Sequence, residues 1–92
     1  MTSRPQWYRR ETSGYTFVLE RADVDRLKSL ADFENREEPA LADEFLRFRA
    51  ESWADALADA GAGPGEFEAR IDPHQRKVHL VREGRTIFSM DL

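Results

Sequence analysis

The segment from Pro39 to about Ala60 constrains this chain more than any other. It reads as one long helix with more apolar surface than a single packing contact covers. Pro39 suits a first helical turn, and Glu37 and Glu38 sit beside the positive end of the helix dipole. The run Gly61-Ala62-Gly63-Pro64-Gly65 ends the helix. At 1.5 Å per residue it is on the order of 33 Å long. Laid out at 100° per residue, it carries two apolar stripes: Leu41, Phe45 and Phe48, and Ala42, Leu46, Ala50, Trp53 and Leu57. Arg49 lies between them. Together the stripes cover close to half the circumference, where a surface helix needs an arc of about 100°. Two arrangements satisfy this pattern. In the first, one wide face packs on both a sheet and a second helix, and Arg49 lays its stem along apolar surface toward a carboxylate. In the second, one stripe faces the core and the other, with Trp53, faces a partner, since aromatic residues and Arg are enriched at interface anchors. A second copy of the chain, joined through Leu46, Trp53 and Leu57, is one such partner.

The rest of the chain supplies a sheet. Ninety-two residues suit a single domain, 1–92, with residues 1–5 expected to be flexible. Gln6 to Glu20 reads as a hairpin. A three-residue loop, Thr12-Ser13-Gly14, would set Trp7 opposite Leu19 and Arg9 opposite Phe17, so that Trp7 completes the core under an edge strand. Asp23 is placed to cap a short helix over 23–34, with Val24, Leu27, Leu30 and Ala31 at helical spacing. Three strands follow: 66–72, 77–82 and 85–90. A three-residue loop, Arg82-Glu83-Gly84, pairs Val78 with Phe88 and Leu80 with Thr86, and so gathers Val78, Leu80, Phe88 and Met90 on one face. A two-residue loop would instead pair Leu80 with Ile87. The order ββααβββ predicts an α+β fold: a four- or five-stranded antiparallel sheet with two helices packed on one face. The other face is expected to be wet, carrying Glu68, Arg70, Lys77, His79, Val81, Ile87 and Ser89.

Composition removes whole classes of chemistry. The absence of cysteine excludes disulfides, thiolate catalysis and Cys-based zinc sites, and makes the cytoplasm the expected compartment. No apolar run approaches the roughly 20 residues that span a bilayer, and Met1 to Arg10 lacks the apolar stretch of a signal peptide. Asp72, His74 and His79 are too sparse for a four-ligand zinc site, so no metal or cofactor is expected. Ser3, Ser13, Ser29, Ser52 and Ser89 stand in no nucleophile elbow. The glycine-rich run follows a helix and precedes a strand, the reverse of a phosphate cradle. No catalytic residue is therefore assigned. The enzymatic alternative is a pocket between sheet and helices with His79 or Arg49 as its polar feature.

Charge carries the remaining information. The net charge is −4, yet residues 11–72 hold sixteen acids against seven bases, while both chain ends are basic. An acidic middle repels phosphates and speeds encounters with basic surfaces. The function expected is a non-catalytic protein-binding module, a small regulator or inhibitor docking an acidic helical surface on a basic partner. Imitation of nucleic-acid charge, as in a phage counter-defence protein, immunity protein or antitoxin, fits that description. The residues expected to do so are Asp43, Glu44, Arg47, Glu51, Asp55 and Asp59, with Trp53 as anchor. The competing surface is basic: Trp7-Tyr8-Arg9-Arg10 with Arg70, Arg76, Lys77, Arg82 and Arg85, suited to stacking on bases and contacting phosphate. A pI of about 5.2 weighs against it.

Overall fold

Two dipeptides with left-handed backbone set both ends of the sheet. Ser13 and Gly14 have φ of 53° and 84°, and Glu83 and Gly84 have φ of 51° and 78°. Positive φ at both central positions is the mark of a two-residue hairpin whose twist matches its strands. The computed structural model describes residues 7–31, 33 and 35–92, apart from the side chain of Trp7. The expectations for residues 1–5, for Gln6, for the Trp7 side chain and for positions 32 and 34 fall outside the described residues.

The first hairpin joins β1 (Trp7–Thr12) to β2 (Tyr15–Glu20). Its loop is Ser13-Gly14 and not the expected Thr12-Ser13-Gly14. The register accordingly moves by one residue: Trp7 stands opposite Glu20, Tyr8 opposite Leu19 and Arg9 opposite Val18. A one-residue slip exchanges the faces of a strand, so Tyr8 occupies the place expected of Trp7 and packs at the margin of the core.

Two helices follow, α1 (Arg21–Lys28) and α2 (Glu38–Asp59). The first is shorter than the predicted 23–34. Ser29 donates its hydroxyl hydrogen bond back to the Arg26 carbonyl at 2.6 Å, a local bond that competes with helix continuation. Beyond it the chain tightens into three-residue turns, Leu30 N–H to Leu27 and Phe33 N–H to Leu30. Asp23 is not the cap; the helix starts two residues earlier. Asp23 is 3% exposed and accepts the Ile71 backbone N–H at 3.0 Å and an Arg26 N–H at 2.9 Å.

The chain then forms β3 (Gly65–Asp72), β4 (Lys77–Arg82) and β5 (Arg85–Asp91). All five strands make one sheet in the order β1-β2-β3-β4-β5. The sheet is mixed and mostly antiparallel, which corrects the all-antiparallel expectation: β2 and β3 are parallel from Tyr15↔Gly65 to Val18↔Glu68. Parallel neighbours need a long crossover, and the two helices supply it. The β2–β3 register ends at Glu68, and Asp23 takes the Ile71 N–H farther along β3.

The second hairpin is a Glu83-Gly84 loop with Arg82 opposite Arg85. Alone it would place Ile87 opposite Leu80. A β-bulge between Leu80 and Val81 leaves Ile87 unpaired and restores Leu80↔Phe88 and Val78↔Met90. Val78, Leu80, Phe88 and Met90 therefore share a face as expected, through a bulge instead of a longer loop. The expected Val78–Phe88 and Leu80–Thr86 pairs do not form.

Both helices cover the same side of the sheet, α2 over β1 and β2, α1 over β2 and β3. One apolar cluster joins Val24 and Leu27 of α1 and Leu41, Phe45, Leu46, Trp53 and Leu57 of α2 to Phe17, Phe67, Ile71 and Leu80 of the sheet. Trp53 is 2% exposed. Its ring meets Phe17 edge-on at 5.3 Å and Phe45 at 5.8 Å, geometry that aromatic quadrupoles favour. The packing of the first arrangement is thus the observed one, but Arg49 lies over the Phe45 ring and has no carboxylate within ion-pair distance among the described residues. A dimer through Leu46, Trp53 and Leu57 is overturned, because all three side chains are spent inside one copy. Phe48, expected to share a stripe with Leu41 and Phe45, is 67% exposed.

The outer sheet face is drier than predicted. Val81, expected in water, is 4% exposed, and Val18 is fully buried. They flank Glu68 across three central strands, where long polar neighbours shield short apolar ones. No described helix is long and apolar enough to cross a membrane.

Candidate docking surface on the long helix

Packing Trp53 and Leu57 inward fixes which side of α2 remains outside. Asp43, Arg47, Phe48, Glu51, Asp55 and Asp59 are exposed, and Glu44 is half-buried. The two halves of the helix then differ in charge balance. In the first half, Arg36 reaches back from the connecting loop to pair with Glu44. Arg47 Nε lies 3.9 Å from Asp43 one turn away. Glu38 accepts the Tyr8 hydroxyl at 2.7 Å and pairs with Arg21 at 3.4 Å. The hydrogen bond to Glu38 is the main cause that raises the Tyr8 pKa above its ordinary value, with burial adding to it.

In the second half nothing comparable exists among the described residues. Glu51, Asp55 and Asp59 recur every fourth residue on a strip roughly 12 Å long. None has a basic side chain within ion-pair distance among the described residues, and the last turn of α2 contains no base. Like charges at this spacing repel, and carboxylates near a helix C-terminus oppose its dipole. The arrangement costs the fold stability and gives the surface a coherent negative charge. Phe48 stands one turn before Glu51, and the Arg47 guanidinium lies 5.1 Å from its ring centre.

The seven residues predicted for docking thus divide three ways. Glu51, Asp55 and Asp59 form a continuous strip that is unpaired among the described residues. Asp43, Glu44 and Arg47 neutralise one another or are neutralised from the loop. Trp53 is packed in the core; the exposed aromatic of α2 is Phe48. Arg49 folds over Phe45, with its guanidinium carbon 4.2 Å from the ring centre, and burial lowers its pKa.

The other candidate chemistries disperse. His79 lies on the outer sheet face, away from the helices, and the space between sheet and helices is filled by Phe17, Phe45, Trp53 and Phe67. The two residues offered as the polar feature of a pocket thus lie apart, His79 on the outer sheet face and Arg49 over the Phe45 ring. His79 does have a partner the sequence reading missed: its Nδ1 is 2.6 Å from Ser89 Oγ, and its Nε2 is 4.0 Å from Asp72 Oδ2. Only the bulged register sets Ser89 opposite His79, so no local signal reveals the pair. At 4.0 Å Asp72 is beyond hydrogen-bonding range, and its other oxygen already holds the turn through the His74 and Gln75 N–H groups. This is a surface contact, without the geometry of an activated nucleophile. The basic surface is largely neutralised: Arg9 pairs with Glu66 at 3.0 Å, Arg70 with Glu68 at 2.7 Å and Lys77 with Asp91 at 3.2 Å. Glu68 also raises the Arg70 pKa. Arg82 folds inward, bonding the Gly63 carbonyl and lying 4.1 Å from the Phe67 ring centre. Among the described residues no group of three His, Asp or Glu is arranged to hold a metal ion.

No protein-family model, curated protein or solved structure matches this chain.

Proposed function

We propose that this chain is a non-catalytic protein-binding module that docks the second half of α2 on a basic protein surface. The observation that carries the reading is the strip Glu51, Asp55 and Asp59, unpaired among the described residues and lying beside an exposed Phe48. Carboxylates held on a rigid helix steer a cationic partner into encounter. Phe48 supplies the desolvated aromatic anchor that such interfaces use. Asp43, Glu44 and Arg47 form the neutral margin of the surface. A row of carboxylates on a small rigid scaffold suits imitation of nucleic-acid charge, the mode expected of an inhibitor, immunity protein or antitoxin.

The test is a comparison of immobilised baits in host extract at about 0.15 M salt, where surface charges act over roughly 8 Å. Wild type should retain a protein with a basic surface. The variant Glu51→Lys/Asp55→Lys/Asp59→Lys should lose it while remaining folded, and Phe48→Ala should weaken retention at least tenfold. Capture that survives the triple reversal at this salt contradicts the reading.

A further inference from the structure

The second half of α2 is shaped as well as charged. On a helix, residues four apart line up as a ridge, and a neighbouring row of small side chains makes a groove beside it. Glu51, Asp55 and Asp59 form one ridge. Arg47 ends its acidic run, one turn earlier on the same row and drawn back toward Asp43 at 3.9 Å. The next row holds Phe48, Ser52 and Ala56, and Ala60 continues it at the cap. Ser52 and Ala60 are exposed and Ala56 is half-buried, so this groove is open to solvent. Phe48, 67% exposed, stands at its head. Ala58, also exposed, lies on the ridge's other flank. From Phe48 to Ala60 the groove runs roughly 18 Å at 1.5 Å per residue.

Small side chains let another backbone come close, and two facts select which kind of backbone. The main-chain groups of α2 are spent inside the helix, so its surface offers none to an incoming chain. An extended segment lying there would leave its own N–H and C=O groups unpaired against the groove, whereas a helix satisfies them internally. The carboxylates also recur every fourth residue, about 6 Å apart along the axis, which is the step at which a second helix repeats side chains along one of its rows. We infer that α2 receives a basic amphipathic helix of its partner. The arginine or lysine ridge of that helix lies against Glu51, Asp55 and Asp59. A row of small or apolar residues beside it enters the groove over Ser52 and Ala56 and meets Phe48 at its end. Two such ridges interdigitate with the axes crossing near −50° and roughly 8–10 Å apart. The assignment rests on the docking reading proposed above and names the element that the surface takes up.

Two labelled peptides test it by fluorescence anisotropy at about 0.15 M salt. Both are alanine-based, about 18 residues long so that each forms a helix, and carry one leucine and three arginines. In the first the arginines stand at four-residue spacing beside the leucine. In its isomer they stand at five-residue spacing, which spreads them around the helix. The first peptide should bind wild type at least tenfold more tightly than the isomer. Ser52→Trp fills the groove and leaves every charge in place. It should cost the first peptide at least tenfold and leave the isomer unchanged, with circular dichroism confirming that the variant is folded. Equal binding of the two peptides, no binding of either at millimolar concentration, or a Ser52→Trp variant that binds like wild type overturns the helix assignment. Each of these leaves the docking reading standing if the extract protein is still lost on Glu51→Lys/Asp55→Lys/Asp59→Lys. Capture that survives that reversal contradicts both.

Discussion

The first and second halves of α2 pack equally well on the inside and differ on the outside. Leu41, Phe45 and Leu46 are as buried as Trp53 and Leu57. Outside, Glu38 and Glu44 are met by Arg21 and Arg36 from other segments, and Asp43 by Arg47. Glu51, Asp55 and Asp59 are met by nothing among the described residues. The lesson is that the same helix separates two tasks along its length: its first half ties the connecting loop and β1 to the helix start, and its second half presents charge. Stability arguments account for the first and give no reason for the second.

The largest expected effect tests the inner side. Trp53→Ala should cost about 3–5 kcal/mol by emptying the core beside Phe17 and Phe45. Phe48→Ala, five residues away and exposed, should change stability by less than about 0.5 kcal/mol. Denaturant unfolding of the two variants measures both. Similar losses would mean that Phe48 is part of the fold and not of a docking surface.

A smaller effect tests the tie in the first half. Tyr8→Phe removes the bond to Glu38 and should cost about 1 kcal/mol at neutral pH. The pKa of Tyr8 is higher folded than unfolded, so its contribution is complete below about pH 10, the ordinary tyrosine value. It is lost as pH rises through the folded-state value. The stability difference between wild type and Tyr8→Phe should therefore shrink in alkali. A difference that stays constant above that pH would detach the tyrosine from the carboxylate.

Much of this architecture was legible because it is written locally. The glycine-rich stop after α2, the alternation of Phe67, Ala69 and Ile71, and the β-branched and aromatic strands all report short-range preferences. What escaped depends on distant partners. The width of the α2 apolar arc is visible in sequence, but only packing tells whether Trp53 serves the core or a partner. Both hairpin loops are one residue shorter than the sequence predicts because Ser13 and Glu83 adopt positive φ, which glycine normally supplies. For β5, facial parity predicts the face that Val78, Leu80, Phe88 and Met90 share, and a bulge satisfies it in place of a longer loop. The parallel β2–β3 pairing follows from where the crossover lands, which no residue in either strand records. In the candidate site, exposure of Glu51, Asp55 and Asp59 followed from helical phase. The neutralisation of Glu44 by Arg36, eight residues away in a loop, did not.

The central claim is that the carboxylates of the second half are not there to hold the fold. Thermal unfolding of Glu51→Gln/Asp55→Gln/Asp59→Gln at low ionic strength tests it most directly. Removing two like-charge spacings and the unfavourable charge at the helix end should raise stability by about 1 kcal/mol, or roughly 4–8 °C in Tm for a domain of this size. The gap should close at about 1 M salt, where screening acts within roughly 3 Å. A triple variant less stable than wild type at low salt would show that these side chains serve the fold, and would contradict the account.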